Sequence, residues 1–287
     1  MTVLSEHLER LEMAIATACR NAGRARSEVE LMAVSKTYPA ATIAEAASLG
    51  LRLFGENRVQ EFAAKFPGLE PLRQSVNVAL NRPPQTQGQS LEVSGHDFSR
   101  AEDRSILARA LAPEVSSPSS TQSRFHLIGH LQSNKCARAA ELFDAVDSVD
   151  SLRLAERLNE AAARMNKHLP ILIEVKLSPE ETKAGLEPES SEAELLLERL
   201  PDLRHLDTRG LMTIAPWGVA EDVTRACFRG LRKWREKWSV AHPQLALDIL
   251  SMGMSGDFPL AIEEGATRIR VGTALFGRRE PYAGPKE

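Results

Sequence analysis

Short apolar runs alternate with stretches of helical apolar spacing along most of this chain, and the alternation limits the possible folds more than any single motif does. The runs cover residues 29–35, 51–54, 124–128, 143–149, 169–175, a stretch inside 203–212, then 245–251 and 267–271. Between them apolar positions recur three or four apart, as at Leu152, Ala155, Leu158 and Ala162 or at Val223, Ala226, Cys227, Leu231 and Trp234. That is the spacing of a helix with one buried face. Runs with little internal polarity suit strands covered on both faces, hence a parallel sheet. Eight of them joined mostly by helices predict an α/β fold, a single (β/α)8 barrel; a doubly wound open sheet is the competing arrangement. Leu4, Leu8, Leu11, Ile15 and Cys19 place one further helix ahead of the first strand, with Gly23 at its end.

The alternation pauses once, at residues 68–123. Pro, Gln, Ser and Asn crowd residues 81–90 and 115–123, too polar to pack a core. Ser99 and Glu102 form a capping box ahead of Ile106, Leu107 and Leu111, so one helix is expected inside the segment. The expectation is therefore one domain over residues 1–287, with 68–123 as a surface insertion. A net charge of −3 without long runs of either sign leaves no basic footprint for nucleic acid. No apolar stretch is long enough for a membrane span, and the charged N-terminus does not read as a secretion signal. Cys19, Cys136 and Cys227 are odd in number and contain no CxxC pair, which argues for core filler in a reducing, cytoplasmic compartment. His96 and Asp97 lack metal-ligand spacing, so no metal is expected.

Chemistry enters at LMAVSKTYP, residues 31–39. Lys36 follows a buried strand, where an ammonium loses hydration unless its amine has a use. A neutral amine there can attack a carbonyl and form a Schiff base; the plain alternative is a solvated loop lysine. Barrel active sites lie at the carboxyl ends of the strands, and phosphate commonly sits after strands seven and eight. SMGMSGD (251–257) offers Ser251, Ser255 and two glycines there, and RVGTALFG (270–277) offers Gly272 and Thr273. A reactive lysine together with two phosphate turns points to an aldehyde carrying a phosphate, and pyridoxal 5′-phosphate satisfies both conditions. Arg270 shares a strand face with Gly272 and would point toward the ring of such a cofactor, or else pair with Glu263 or Glu264. Asn57, at the end of strand two, either lines the cofactor or caps the next helix. His126 reads as a hydrogen-bonded core histidine.

LMAVSKTYP, FGENRVQE, FHLIGHLQSNK, EVKLSPEETKAG, RGLMTIAP, LSMGMSGDFPLAIEEGAT and RIRVGTALFG, in that order, resemble the signature segments of the pyridoxal phosphate homeostasis protein family. The resemblance spans nearly everything outside the insertion. It implies an alanine-racemase-like, fold-type III barrel without the racemases' second domain, and a monomer. It further implies that Lys36 carries the cofactor as a Schiff base, that Ser251, Gly272 and Thr273, with Ser255, hold the phosphate, and that Arg270 contacts the pyridine nitrogen. An arginine does not give up its proton, so the ring would be a poor electron sink. Lys183 matches a second lysine of the family. Departures from the pattern are the long insertion, Tyr38 in place of a frequently basic residue, and Gly256 with Pro259 after the phosphate turn.

Racemisation needs a base on each face of the substrate carbon. In the racemases that the family resembles, the base opposite the lysine is a tyrosine of the second domain; here only Tyr38 and Tyr282 are available as tyrosines, and nothing in the sequence places either opposite Lys36. The expected function is thus storage or delivery of the cofactor, with pyridoxal-phosphate-dependent apoenzymes as recipients and little or no turnover. An amino-acid racemase with an unidentified second base is the first alternative, and a Schiff-base aldolase using Lys36 directly is the next.

Overall fold

In the computed structural model, which describes residues 2–74, 122–178 and 184–277, eight parallel strands close into one barrel in sequence order. They are β1 (Glu30–Val34), β2 (Leu53–Glu56), β3 (Arg124–Leu127), β4 (Ala145–Val149), β5 (Leu169–Glu174), β6 (Leu206–Met212), β7 (Ile249–Ser251) and β8 (Arg268–Val271). The ring closes where β8 pairs with β1, Leu31 opposite Ile269 and Met32 opposite Arg270. That seam excludes the open-sheet alternative.

Helices surround the barrel: α1 (Val3–Asn21), α2 (Ala40–Ser48), α3 (Val59–Gln74), α4 (Cys136–Leu142), α5 (Leu152–Arg164), α6 (Ser191–Arg199), α7 (Glu221–Ala241), α8 (Phe258–Glu263) and α9 (Thr273–Phe276). Their starts follow local chemistry. Ser151 and Ser190 accept hydrogen bonds from the backbone N–H of Leu154 and Ala193, satisfying donors that the helices cannot satisfy internally. Alternate strand residues face outward into the main core against the helices, among them Leu31, Ala33, Phe54, Phe125 and Leu127. The other set faces the barrel interior, where Met32, Val34, Leu53 and Ile128 form a small apolar cluster. Cys19, Cys136 and Cys227 are buried free thiols within the outer core.

The interior also carries charge. His126 and Asp147 are 3.0 Å apart, Asp147 accepts from Arg268 at 3.2 Å, and Arg268 reaches Glu30 at 2.8 Å. His126 is accordingly a paired core residue. Burial opposes ionisation of Asp147, but His126, Arg268 and Arg270 hold its carboxyl below the ordinary value.

Three boundaries differ from the sequence reading. Helix α3 continues to Gln74, beyond the expected break at 68, although Pro67 and Pro71 lie within it. Leu69 is fully buried, and Ser123 donates its N–H to the Leu72 carbonyl at 3.0 Å. Packing of this last stretch overrides the breakers. The rest of the insertion, with its expected helix, lies outside the described residues. Strand β7 is three residues long instead of seven, because Leu245 and Leu247 are buried against the helix layer without joining the ladder. Strand β2 extends through Glu56, two residues beyond the apolar run at 51–54.

Candidate functional site

The carboxyl ends of β7, β8, β1 and β2 are consecutive around the barrel, and all seven sequence-selected residues lie on them. Ser251 ends β7, and Arg270 on β8 donates to its carbonyl at 2.7 Å and its hydroxyl at 2.9 Å. A second arm of the guanidinium donates to the Thr213 carbonyl at 2.8 Å. Arg270 is 4% exposed, so these carbonyls replace the water it has lost. The expected acid partners are elsewhere: Glu264 binds Arg229 at 2.8 Å and Glu263 binds Arg225 at 2.6 Å, both on the outside of the barrel. Burial lowers the Arg270 pKa, while Asp147, Glu174 and Asp257 offset the effect. An arginine keeps its proton through such a shift.

The two glycine turns meet. The Arg270 N–H donates to the Gly253 carbonyl at 2.9 Å, and the Ser255 hydroxyl accepts from Ala274 N–H at 3.2 Å. Ser255 therefore sits beside Thr273. Gly253 has φ +90°, and a Cβ there would lie 2.5 Å from the Ala261 Cβ, so only glycine fits. Gly272 differs. Its φ is −114°, and an added Cβ would make only ordinary contact, 3.4 Å from the Val34 carbonyl oxygen. The chain's own packing does not demand glycine at 272.

Lys36 lies just past β1, half-buried, in a turn closed by Tyr38 N–H donating to the Ser35 carbonyl at 3.1 Å. It is two residues beyond Val34 and four beyond Met32, the inward-facing residues of that strand. Asn57 follows β2 and packs against Gly129, where a Cβ would fall 2.3 Å from the Asn57 carbonyl oxygen. Among the described residues its side chain bonds no N–H of α3, so the capping role is not seen. Asn57 instead lines a cavity of about 180 Å³ with Ile128, Glu174, Ser178 and Ile214. This cavity occupies the side of the barrel mouth away from Ser251, Arg270 and Thr273. Lys183 lies outside the described residues.

Sequence reasoning missed Glu174. It ends β5 with its side chain toward the barrel mouth and is 6% exposed. Among the described residues no hydrogen-bond donor reaches its carboxyl. Burial, with repulsion from Asp150, raises its pKa to about 7, and Arg270 pulls the other way. The signal was available: an acid ends the otherwise apolar LPILIE as a lysine follows LMAVS. Thr213 was also missed, since its contribution is a carbonyl oxygen that residue type does not reveal.

Comparisons with known proteins agree with this fold. A family model described as alanine racemase, N-terminal domain, matches residues 7–280. A pyridoxal phosphate homeostasis protein of Vibrio cholerae is 36% identical over 281 residues, covering 98% of this chain and 98% of the relative. One from Aquifex aeolicus is 34% identical over 275 residues, covering 96% of this chain and 98% of the relative. The structure of PipY from Synechococcus elongatus PCC7942 with PLP bound has a TM-score of 0.67 at 37% identity, covering 92% of this chain and 100% of that one.

Proposed function

The chain belongs to the pyridoxal phosphate homeostasis protein family, and from that premise we propose that it binds pyridoxal 5′-phosphate at the barrel mouth, with Lys36 carrying the aldehyde as a Schiff base. It stores or delivers the cofactor to pyridoxal-phosphate-dependent apoenzymes, as a cytoplasmic monomer with little or no turnover. The observation that carries this reading is the juxtaposition of an inward-phased lysine with two linked glycine turns on neighbouring strands.

The residues fit the cofactor. Backbone and hydroxyl donors of Gly272, Thr273, Ser255 and Ser251 suit a phosphate. Glycine at 272, which the polypeptide does not require, leaves room for a group to approach the turn. Arg270 is oriented by three hydrogen bonds and would present a permanent donor to the ring nitrogen. When bound, the cofactor supplies an electrophilic aldehyde that captures amines. A donor that keeps its proton withholds the ring protonation that carbanion chemistry uses, which favours holding over turnover.

Tyr38 supports the same conclusion. Its hydroxyl donates to the Gly277 carbonyl at 3.0 Å and its ring packs on Phe276 at 4.7 Å, so it is committed to anchoring the chain beyond α9. Tyr282 lies outside the described residues. One observation favours a racemase as the second reading: Glu174 is a buried acid at the mouth that titrates near neutral pH, as a general base would. Exchange of α-deuterium from either enantiomer of an amino acid, lost in Glu174→Gln, would establish that activity. No exchange is expected.

Incubation with pyridoxal phosphate, borohydride reduction and peptide mapping test the central claim. The expected result is a visible absorbance band that disappears on reduction and leaves a pyridoxyl group on Lys36; in Lys36→Ala neither forms. A protein that stays colourless, or a reducible adduct persisting in Lys36→Ala, overturns the assignment.

A further inference from the structure

Thr37, immediately after Lys36, has φ +71°. A β-branched residue in the left-handed region is a backbone outlier, and such outliers persist only where the surroundings over-determine them. The only other non-glycine residue with positive φ among the described residues is Asn166, a type that tolerates the conformation.

The surroundings of Thr37 are unusually specified. Its N–H donates to the carboxylate of Glu61 on α3. The same carboxylate binds Lys65, one helical turn further along, at 2.8 Å. Lys65 then donates to the Ser35 carbonyl at 3.2 Å and to Glu56 at 3.1 and 3.2 Å. Glu56 in turn accepts from the Ser35 hydroxyl at 2.7 Å. The residues on both sides of Lys36 are thus tied to one cluster of two acids and a lysine. Ser35 and Glu56 are fully buried, and the Lys65 side chain is 11% exposed. Burial raises the Glu56 pKa against the pull of Lys65 and Ser35.

The cluster lies behind the sheet, between β1, β2 and α3, because Ser35 and Glu56 continue the outward-facing phase of their strands. Lys36 continues the inward-facing phase. Glu56 and Lys65 are buried on the helix side of the turn, with Glu61 partly exposed beside them. Charges placed there do not reach a ligand at the mouth, and a fold seeking stability alone could fill the buried part of that space with apolar side chains. We propose that Glu61 and Lys65 are positioning residues for the Lys36 amine: they hold the turn in its left-handed form, which sets the direction in which the lysine leaves the backbone. This inference rests on the assignment of Lys36 as the cofactor anchor.

A double-mutant cycle on the full-length, cofactor-loaded protein tests it. Glycine adopts positive φ without help, so Thr37→Gly should make the turn independent of Glu61. The measured quantity is the rate at which the visible band is lost on dilution into cofactor-free buffer, with pyridoxyl-Lys36 yield after reduction as a second readout. In Glu61→Ala, which removes the acceptor of the Thr37 N–H, loss should accelerate about tenfold, as for a lost charge-assisted hydrogen bond. Thr37→Gly alone should stay within about twofold of the parent, and the double variant within about twofold of Thr37→Gly. Loss of an ion pair with a purely structural role would not be rescued by glycine at 37. Glu61→Asp, which keeps the charge but withdraws the carboxylate, gives the same test if Glu61→Ala does not fold. If the parent carries no pyridoxyl on Lys36, the anchor assignment itself fails. If it does, and the Glu61 variant retains cofactor like the parent or glycine leaves the defect unchanged, only the positioning role is overturned.

Discussion

Residues with the same hydroxyl or carboxyl chemistry have different consequences at this barrel mouth because their hydration differs. Thr273 opens α9 beside Ser255 and is exposed enough to meet a phosphate. Thr273→Ala should weaken pyridoxal phosphate retention by about 1–3 kcal/mol through loss of one hydrogen bond to a charged group, seen by equilibrium dialysis. Glu174 has been moved out of water. Its carboxyl titrates at about 7 when folded, against 4.5 for the unperturbed group. The folded protein therefore keeps a proton that the unfolded chain releases above pH 4.5, and stability falls as pH rises through this window to about 7. Urea unfolding of the cofactor-free protein should show Glu174→Gln gaining on the parent between pH 5 and 8, by on the order of 2–3 kcal/mol. Equal pH dependence of the two proteins would show that Glu174 is not desolvated.

Strands and helices add constraints that no single side chain carries. The inward faces of β3, β4 and β8 contribute His126, Asp147 and Arg268 to one buried ion network, which the partly exposed Glu30 of β1 completes at its edge, where barrels usually stack branched apolar residues. Removing the Asp147 carboxylate takes one of two acid partners from the buried Arg268 guanidinium and the one partner of the His126 ring, while Arg268 keeps Glu30. Asp147→Asn should cost about 3–5 kcal/mol in chemical unfolding. The pH effect has the opposite sign to that of Glu174. Asp147 is held below its ordinary 3.8, so its contribution is complete above that pH and is lost as acid titrates the folded carboxylate. The sequence suggested a helix, a strand and His126 as a core residue, but not this network. Arg268 and Asp147 are 121 residues apart, and local pattern carries no information about their meeting.

At the level of the whole barrel, α1 belongs to the domain. Leu4, Leu11 and Ile15 are buried against it, His7 hydrogen-bonds the Leu275 carbonyl at 3.0 Å, and Arg24 donates to the carbonyls of Ile262 and Ala266 at 2.9 and 2.7 Å. The helix and the turn after it thus brace the region following β7 and β8, where the two glycine turns lie. Ile15→Ala should destabilise the protein by about 2–5 kcal/mol, with the helical signal and the cofactor band lost in one coincident transition on heating. Separate transitions would show α1 to be an appendage. The strand and helix rhythm, the lysine after the first strand and the glycine turns after the last two could all be read from residue order. Periodicity, turn chemistry and an ionisable residue ending an apolar run are local properties, visible within a few neighbouring positions. Folding in space determined the rest: the three carbonyl and hydroxyl bonds that orient Arg270, the desolvation of Glu174, the continuation of α3 past its prolines, and the left-handed turn at Thr37. Each of these depends on which distant groups exclude water from one another or share a hydrogen bond, and that follows from closing the barrel.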